Sequence, residues 1–460
     1  MKQILRGGTV VTGSGSFQED VFIDGEKVAA VGSPQEIWRL ADQDTRIVDV
    51  SGCLLFPGFI DAHTHFDLHV AGTVTADDFA TGTKAAVRGG TTTIVDFGTQ
   101  YGGESLADGL RNWHEKADGR CSCDYGFHMS ISDWNPSVSR ELEDMMEEGI
   151  TSFKLYMTYD TQVDDATIFE ILRRLKEVGG ITGVHCENSG MIAALQAEAR
   201  AAGRMGVESH PATRPAAAEA EAIDRLLRLA EVVDIPVIVV HLTCKAGYDV
   251  IMEARRRGQK VYAETCPQYL LMDDSLYTLP GMEGAKYVCA PPLRKKEDSE
   301  CLWRALADGT IQTVSTDHCS FTTEQKALGT DDFTKIPGGM PGVETRGLLL
   351  YTYGVDAGRI TCEKMCQLLS ENPAKLYGMY PRKGAIAPGS DADIVVMRTG
   401  VEDVITAGDQ VQNVDYAPFE GKKVTGRIES VYLRGAQVVK NRQVVVEKAG
   451  EFVKRGKYSL

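Results

Sequence analysis

The chain has no apolar run long enough to cross a membrane as a helix, and membrane insertion is not expected. Its opening stretch, MKQILRGGTVVTG, lacks the apolar core of a signal peptide, so the expected compartment is cytoplasmic. Positive charge is in deficit. Against 65 Asp and Glu there are only 49 Lys and Arg, a formal charge of −16, which argues against a nucleic-acid partner or an anionic membrane surface. Paired cysteine motifs are also missing. The 11 cysteines are odd in number and scattered through core-like segments, with Cys121 and Cys123 the only close pair, and they read as reduced thiols. Internal repeats, low-complexity tracts and Pro- or Ser-rich linkers are absent, and no glycine fingerprint follows the first strand of the central region.

What remains is an ordinary globular composition, 43% hydrophobic and 25% charged, in 460 residues that can bury a large core. Residues 1–52 hold short β-branched runs (GGTVVTG, DVFIDGEKVAAVG, RIVDV) with turn signals at Ser14-Gly15-Ser16 and Asp24-Gly25. Residues 53–385 alternate apolar strands with helical patterns. The expected strands are Phe56–His63, Thr91–Phe97, Tyr125–Ile131, Ser152–Tyr156, Ile181–His185, Val237–His241, Lys260–Glu264 and Ile311–Asp317. Between them, Ile168, Ile171, Leu172 and Leu175 mark one face of a helix capped by Asp164 or Asp165 and stopped at Gly179-Gly180. A second helix, from Pro215 to Val232, places Ile223, Leu226, Leu227 and Ala230 on one stripe. Eight alternations predict an α/β fold, a (β/α)8 barrel, with an open doubly wound sheet as the competitor. Residues 386–460 return to β texture, and the simplest arrangement joins both chain ends in one small β-sandwich beside the barrel.

The stretch FPGFIDAHTHFDLH, Phe56 to His69, organises the chemistry. His63 and His65 are two apart on a strand and so face the same way, with Asp61 in the same parity. Neutral imidazole is a good ligand for zinc and related ions. HxH by itself is a weak signal, but other polar residues fall at the C-terminal ends of the expected strands, where barrels keep their active sites. They are Lys154 in SFKLYM, His185 in GVHCEN, His241 in VVHLT and Asp317 in VSTDH. Each alone has a bland explanation as a solvated charge, a satisfied core histidine or a cap. Barrel closure would put all of them on one rim. His69, His114, His128, His210 and His318 share no such placement and are taken as structural. Four histidines and a carboxylate exceed the needs of one catalytic zinc, which takes three protein ligands and water, and they suit two ions.

In order and spacing, GFIDAHTHFD, FKLYMTY, VHCEN, VHLT, ETCPQYL, VCAPPLR, TDHCSF and DFTKIPGGMPGVE resemble the dihydropyrimidinase and hydantoinase branch of the cyclic amidohydrolases, over nearly the whole chain. The resemblance implies a barrel with a β-sandwich, usually a homotetramer, and a binuclear centre of zinc, with manganese or cobalt as substitutes. It assigns His63, His65 and Asp317 to one ion and His185 and His241 to the other, bridged by Lys154 carrying a carboxylate as N6-carboxylysine. Tyr159, five residues after the lysine, matches the tyrosine that hydrogen-bonds the substrate carbonyl and its oxyanion, and Asp317 the group that moves the proton. Ala290 and Gly338 fall where the family contacts substrate through its backbone. Ala290 stands where SPPLR is common, and Gly338-Gly339 replace a common Asn-Gly in a loop one residue shorter.

The expected activity is metal-dependent opening of a 5-substituted hydantoin or dihydropyrimidine to an N-carbamoyl amino acid. Dihydroorotase is a poorer match, because FDLHV follows His65 with no cation before Lys84 to hold a substrate carboxylate. Allantoinase is an alternative separated by pocket side chains, with Val70, Tyr156 and Val163 favouring an apolar or aromatic substituent over a ureido group. A second alternative is a non-catalytic dihydropyrimidinase-like binding protein, similar to the collapsin response mediators, which have lost metal ligands.

Overall fold

Strands buried along their whole length form where a parallel sheet is covered on both faces. Phe59–Thr64, Thr91–Thr99, Asp124–Ser130 and Ile181–His185 are of this kind, every residue in them being buried. In the computed structural model, which describes residues 2–460, they belong to an eight-stranded parallel sheet. Its strands follow the chain order without a crossover: Phe59–Thr64, Thr91–Thr99, Asp124–Ser130, Ser152–Tyr156, Ile181–His185, Val237–Val239, Val261–Thr265 and Thr313–Val314. The first and last meet through a parallel bridge between Thr64 and His318, reinforced by the His65 amide donating to His318 O at 2.8 Å. The expected (β/α)8 barrel is therefore present.

Helices wrap it as their stripes require. Asp165–Val178 buries Ile168, Ile171, Leu172 and Leu175; the Asp164 carboxylate caps it by accepting from the Thr167 amide at 2.8 Å, and Gly179 ends it at φ 82°. Ala216–Val233 buries Ile223, Leu226, Leu227 and Ala230 behind Pro215.

Both chain ends build the smaller part. One sheet of four strands contains Lys2–Arg6, Asp20–Asp24, Lys27–Gly32 and Arg46–Asp49. A seven-stranded sheet sets the block Ser16–Gln18, Thr9–Val11 and Cys53–Pro57 beside the block Ile394–Val404, Lys423–Leu433, Ala436–Lys440 and Gln443–Val444, the two meeting where Cys53–Pro57 pairs with Ile394–Val404. The two sheets enclose an apolar cluster that includes Leu5, Val21, Ile23, Leu55, Ile394 and Tyr432.

Three strands split or fall short of expectation, while the second, third and seventh shift by only one or two residues. Phe56–His63 is not one strand: Cys53–Pro57 pairs with Ile394–Arg398 in the seven-stranded sheet, and the barrel strand starts at Phe59. Gly58 makes the crossing. A Cβ there would lie 2.0 Å from Thr92 Oγ1, so only glycine fits between the two sheets. The sixth and eighth strands are shorter, Val237–Val239 and Thr313–Val314 rather than Val237–His241 and Ile311–Asp317. Beyond those points main-chain bonds alternate with side-chain partners: the His241 amide donates to Glu264 Oε1 at 3.3 Å and the Leu242 amide to Glu264 O at 2.7 Å, while the Ser315 amide donates to Thr265 O and the Thr316 amide to Asp61 Oδ1, each at 3.1 Å. Among the described residues no helix is long and apolar enough to cross a membrane.

Two buried devices fasten barrel to sheets. Lys383 donates to Asp124 of the third barrel strand at 2.6 Å, to Asp391 at 2.9 Å and to Asp393 at 2.7 Å. The C-terminal segment runs along the barrel, with Val453 N donating to Tyr125 O at 2.7 Å and Arg455 Nη1 to Ser152 Oγ at 2.7 Å. Lys383→Met leaves three buried carboxylates short of their shared cation. It is expected to lower the unfolding free energy by about 3–5 kcal/mol, the scale for breaking a buried pair, as a denaturant titration would measure. An unchanged midpoint would show that Arg434, which also pairs with Asp124, and Arg382, 3.0 Å from Asp391, suffice.

Candidate metal centre

The C-terminal ends of barrel strands converge on one rim, and the six residues singled out as ligands all arrive there. His63 lies near the end of the first strand and His65 just past it; Lys154 is in the fourth, His185 ends the fifth, and His241 and Asp317 follow the sixth and eighth. Five are buried, and the Asp317 side chain is 13% exposed. Ring centroids of His63 lie 5.2 Å from His65 and 5.4 Å from His241, and His185 lies 4.6 Å from His241. Asp317 Oδ1 sits between two imidazoles, 3.1 Å from His63 Nε2 and 3.2 Å from His65 Nε2. Ligand atoms of His63, His241 and Asp317 all fall within 4.8 Å of one another, a spread that one cation could draw in.

The backbone is bent to reach this arrangement. His241 and Asp317 have φ of 38° and 52°, and Tyr159 has φ of 72°, all in the left-handed region that L-residues avoid. Strain of that kind persists where surrounding contacts over-determine it, and functional sites are a common place for it.

Carboxylates behind the histidines select their free nitrogens. Glu264 Oε1 lies 2.6 Å from His63 Nδ1, which places the ring proton there and leaves Nε2 toward Asp317. That Nε2 is buried and lacks a hydrogen bond of acceptable geometry, although Asp317 is close. His185 Nε2 is 2.8 Å from Glu187 Oε2, leaving Nδ1, and Glu187 is paired in turn with Arg214.

Burial opposes charging of the His63 ring, as does Lys154, yet Asp317 and Glu264 hold its pKa above the usual imidazole value. Burial keeps the other three neutral, with His65 pushed down to about 4 and His185 and His241 also lowered. Although burial works against it, Asp317 is held well below the usual carboxylate range by His63 and His65. Burial also pushes the Lys154 amine down to about 8. Its Nζ lies 4.7 Å from the Phe97 ring centroid and 5.1 Å from that of Tyr156, with no hydrogen-bond acceptor among the described residues. Neutral imidazoles, an ionised carboxylate, an orphaned ring nitrogen and an unpartnered buried amine make a donor set that fits divalent cations better than it fits a self-contained core.

The remaining sequence-derived candidates border the rim. The Tyr159 ring centroid is 5.0 Å from that of His185, with the Arg214 guanidinium 5.4 Å from the tyrosine ring. Ala290 and Gly338 adjoin each other, since a Cβ on Gly338 would be 3.9 Å from the Ala290 Cβ. Their loop reaches the segment after Asp317, where the Cys319 amide donates to Met340 O at 3.1 Å. The histidines taken as structural lie elsewhere: His128 bridges Ser152 Oγ at 2.6 Å and Ala62 O at 3.0 Å, His318 pairs with Asp77 at 3.0 Å, and His69 is exposed.

Sequence reasoning gave no role to Glu264, Glu187 or Arg214. Glu264 could have been found, because a carboxylate in an otherwise apolar strand, VYAET, must have buried partners. Glu187 keeps the parity of His185 two residues on. Arg214, in HPATRPAAAE, carries no local signal.

Comparison with known proteins agrees with this geometry. Residues 54–438 match the amidohydrolase family model. The chain is 44% identical to a D-hydantoinase of Geobacillus stearothermophilus, covering 100% of this chain and 97% of that protein. It is 44% identical to a D-hydantoinase of Streptomyces coelicolor, with 97% and 96% covered. The crystal structure of a dihydropyrimidinase from Brevibacillus agri superposes with a TM-score of 0.98 at 47% identity, covering 100% of both chains.

Glu264→Gln tests the support behind His63. Loss of the anion makes the imidazole a poorer donor, and metal affinity should fall by about 10–100-fold, the usual cost of such a change. Titration of the chelator-stripped protein with zinc, read by metal content, measures it; unchanged affinity would leave Glu264 a purely structural role.

Proposed function

The chain belongs to the amidohydrolase family, and from that membership we propose that it is a hydantoinase or dihydropyrimidinase, a metal-dependent enzyme that opens a cyclic amide to an N-carbamoyl amino acid. The observation that carries the proposal is Asp317, an ionised carboxylate set 3.1 and 3.2 Å from two imidazoles at the centre of the barrel rim. Relatives named D-hydantoinase at 44% identity across the chain support the same substrate class. They give no support to allantoinase. A non-catalytic role is disfavoured because all six ligand positions are filled.

His63, His65 and Asp317 would hold one divalent ion and His185 and His241 a second, with Lys154 as a carbamate between them. Zinc suits these donors, and manganese or cobalt could replace it. Bound there, the ions supply Lewis acidity and lower the pKa of water toward about 7. The chain's own residues do the rest. Asp317 takes a proton as water oxygen adds to the ring carbonyl carbon. The Tyr159 hydroxyl donates to the oxyanion that forms. Asp317 then returns the proton to the ring nitrogen as the carbon–nitrogen bond breaks. Backbone groups of Ala290 and Gly338 meet the substrate's imide edge; among the described residues neither has a hydrogen-bond partner within the chain. Val70, half-exposed on the hairpin His69–Val74, would meet an apolar substituent of the substrate.

Turnover of dihydrouracil, hydantoin, 5-phenylhydantoin and allantoin by the zinc- or manganese-loaded protein tests the assignment. Hydantoins or dihydrouracil should be opened and allantoin should not. Asp317→Asn serves as the control: it keeps one oxygen donor but cannot shuttle a proton, so activity should fall by about 10²–10⁴-fold, out of proportion to metal loss. Preferred hydrolysis of allantoin would overturn the substrate class.

Lys154 provides a separate test. An amine with pKa near 8 is neutral in substantial fraction at mild pH, as reaction with carbon dioxide requires. Lys154→Arg should lose metal and activity together, because a guanidinium neither carboxylates nor ligates. Recovery of the stripped wild type should slow when bicarbonate is removed or the pH lowered. An arginine variant that retains both metals and normal turnover would eliminate the bridging carbamate.

A further inference from the structure

The short helix Thr323–Lys326 begins six residues after Asp317 and ends in a lysine that is 2% exposed. Lys326 Nζ has no carboxylate partner. It donates instead to three main-chain carbonyls, Val288 O at 2.8 Å, Pro337 O at 2.7 Å and Gly339 O at 2.7 Å. An ammonium has three donors and no acceptor, so this arrangement uses all of them. The three carbonyls come from two loops distant in sequence, one carrying Ala290 and the other Gly338.

We propose that Lys326 is a positioning residue for substrate: it draws these two loops into one wall and leaves the backbone of Ala290 and Gly338 free to meet a cyclic imide. Its role rests on those two residues touching substrate, as proposed above.

The surrounding hydrogen bonds have the same consequence. Val288 O also accepts from the Gly339 amide at 2.9 Å, stitching the loops directly. Cys289 O accepts from His210 Nε2 at 2.8 Å, and Pro291 O from the Tyr269 hydroxyl at 2.8 Å. Every carbonyl of 288–291 except that of Ala290 is therefore engaged, and every carbonyl of 337–339 except that of Gly338. Burial pushes the Lys326 amine down to about 7, but three carbonyl acceptors at 2.7–2.8 Å call for three N–H groups, which the ammonium form alone supplies, and bonds from such a donor resist separation of the loops. The preceding residue extends the same anchorage. Gln325 Nε2 donates to Thr73 Oγ1 at 2.8 Å and to Val74 O at 2.6 Å, holding the hairpin that carries Val70. Thr323 N donates to Asp415 at 2.9 Å, fixing the helix to the C-terminal part.

Lys326 does not approach the metal ligands, so removing its charge should change substrate binding and spare metal loading. Lys326→Met keeps the length and apolar stem without donors, and Lys326→Gln keeps two donors on a shorter arm. In the metal-loaded proteins, Lys326→Met should raise KM for hydantoin by about tenfold or more, the scale of one lost charge-assisted bond. Metal content should be unchanged and kcat should move by less than about threefold, the signature of lost binding in ground and transition states alike. Lys326→Gln should lie between, and carries the test alone if the methionine variant does not fold. Hydrogen exchange of segments 286–292 and 335–341 should be faster in the variants. In the wild type the same segments should be protected by an equilibrium mixture of hydantoin and its ring-opened product.

The outcomes separate. Faster exchange with an unchanged KM would make Lys326 a structural tether only and overturn the proposal. Exchange equal to wild type would show that Lys326 does not hold the loops, which also overturns it. Absence of ligand protection in the wild type would instead remove Ala290 and Gly338 from the substrate site, and the role of Lys326 would fall with them.

Discussion

The carboxylate of Glu264 links the ends of four barrel strands where only a few backbone bonds still join them. From the seventh barrel strand it faces His63 Nδ1 of the first strand at 2.6 Å, accepts from Ser315 Oγ beside the eighth at 2.8 Å, and faces the His241 amide after the sixth at 3.3 Å. Regular pairing would have continued these strands and kept their side chains alternating in and out. A buried anion with several partners lets the chain leave the ladder without stranding polar groups. The freed segments can then take the left-handed turns at His241 and Asp317 that carry both side chains to the centre. Without Glu264 the buried His63 ring would have no fixed tautomer and the strand ends no common anchor.

Around that centre the supporting groups are charged and paired in layers. Arg214 binds Glu187, which faces His185; Arg294 binds Glu219 at 2.9 Å and donates to Thr243 Oγ1 at 2.9 Å, two residues after His241. Isolated charges at such depth would be prohibitive, and each is acceptable only because its partner is in place. The same principle fastens the two parts of the molecule, where Lys383 sits among Asp124, Asp391 and Asp393. The candidate metal site is thus supported from behind by ion pairs, while the proposed substrate side is lined by loops whose backbone is tied down by Lys326, His210 and Tyr269.

Much of this was legible beforehand because it depends on local periodicity. The helix at Asp165–Val178 shows its cap, its stripe and its terminating glycine in consecutive residues. The residues that gather on the rim were legible for a related reason: barrels present the ends of their strands, so polar residues closing apolar strands stand out without knowledge of contacts. The boundaries were not. Phe56–His63 looks like one strand because both halves are apolar, and only the packing of Gly58 against Thr92 shows that the chain changes sheets there. The sixth and eighth strands look longer than they are because apolar character does not report whether a carbonyl or a carboxylate meets the amide.

By itself, then, the amino-acid sequence determined the barrel and the β-sandwich drawn from both ends, since both follow from periodicity along the chain, and it pointed to the polar residues that gather on one barrel rim. Tertiary structure alone decided which nitrogen each histidine turns inward, that Lys154 is a buried amine without an acceptor, and that Lys326 bridges two loops. Those properties arise between residues such as His63 and Glu264, or Lys326 and Val288, that are far apart in sequence. Their contact is set by barrel closure and by the cost of leaving a buried polar group unpaired, and neither leaves a local periodicity to read.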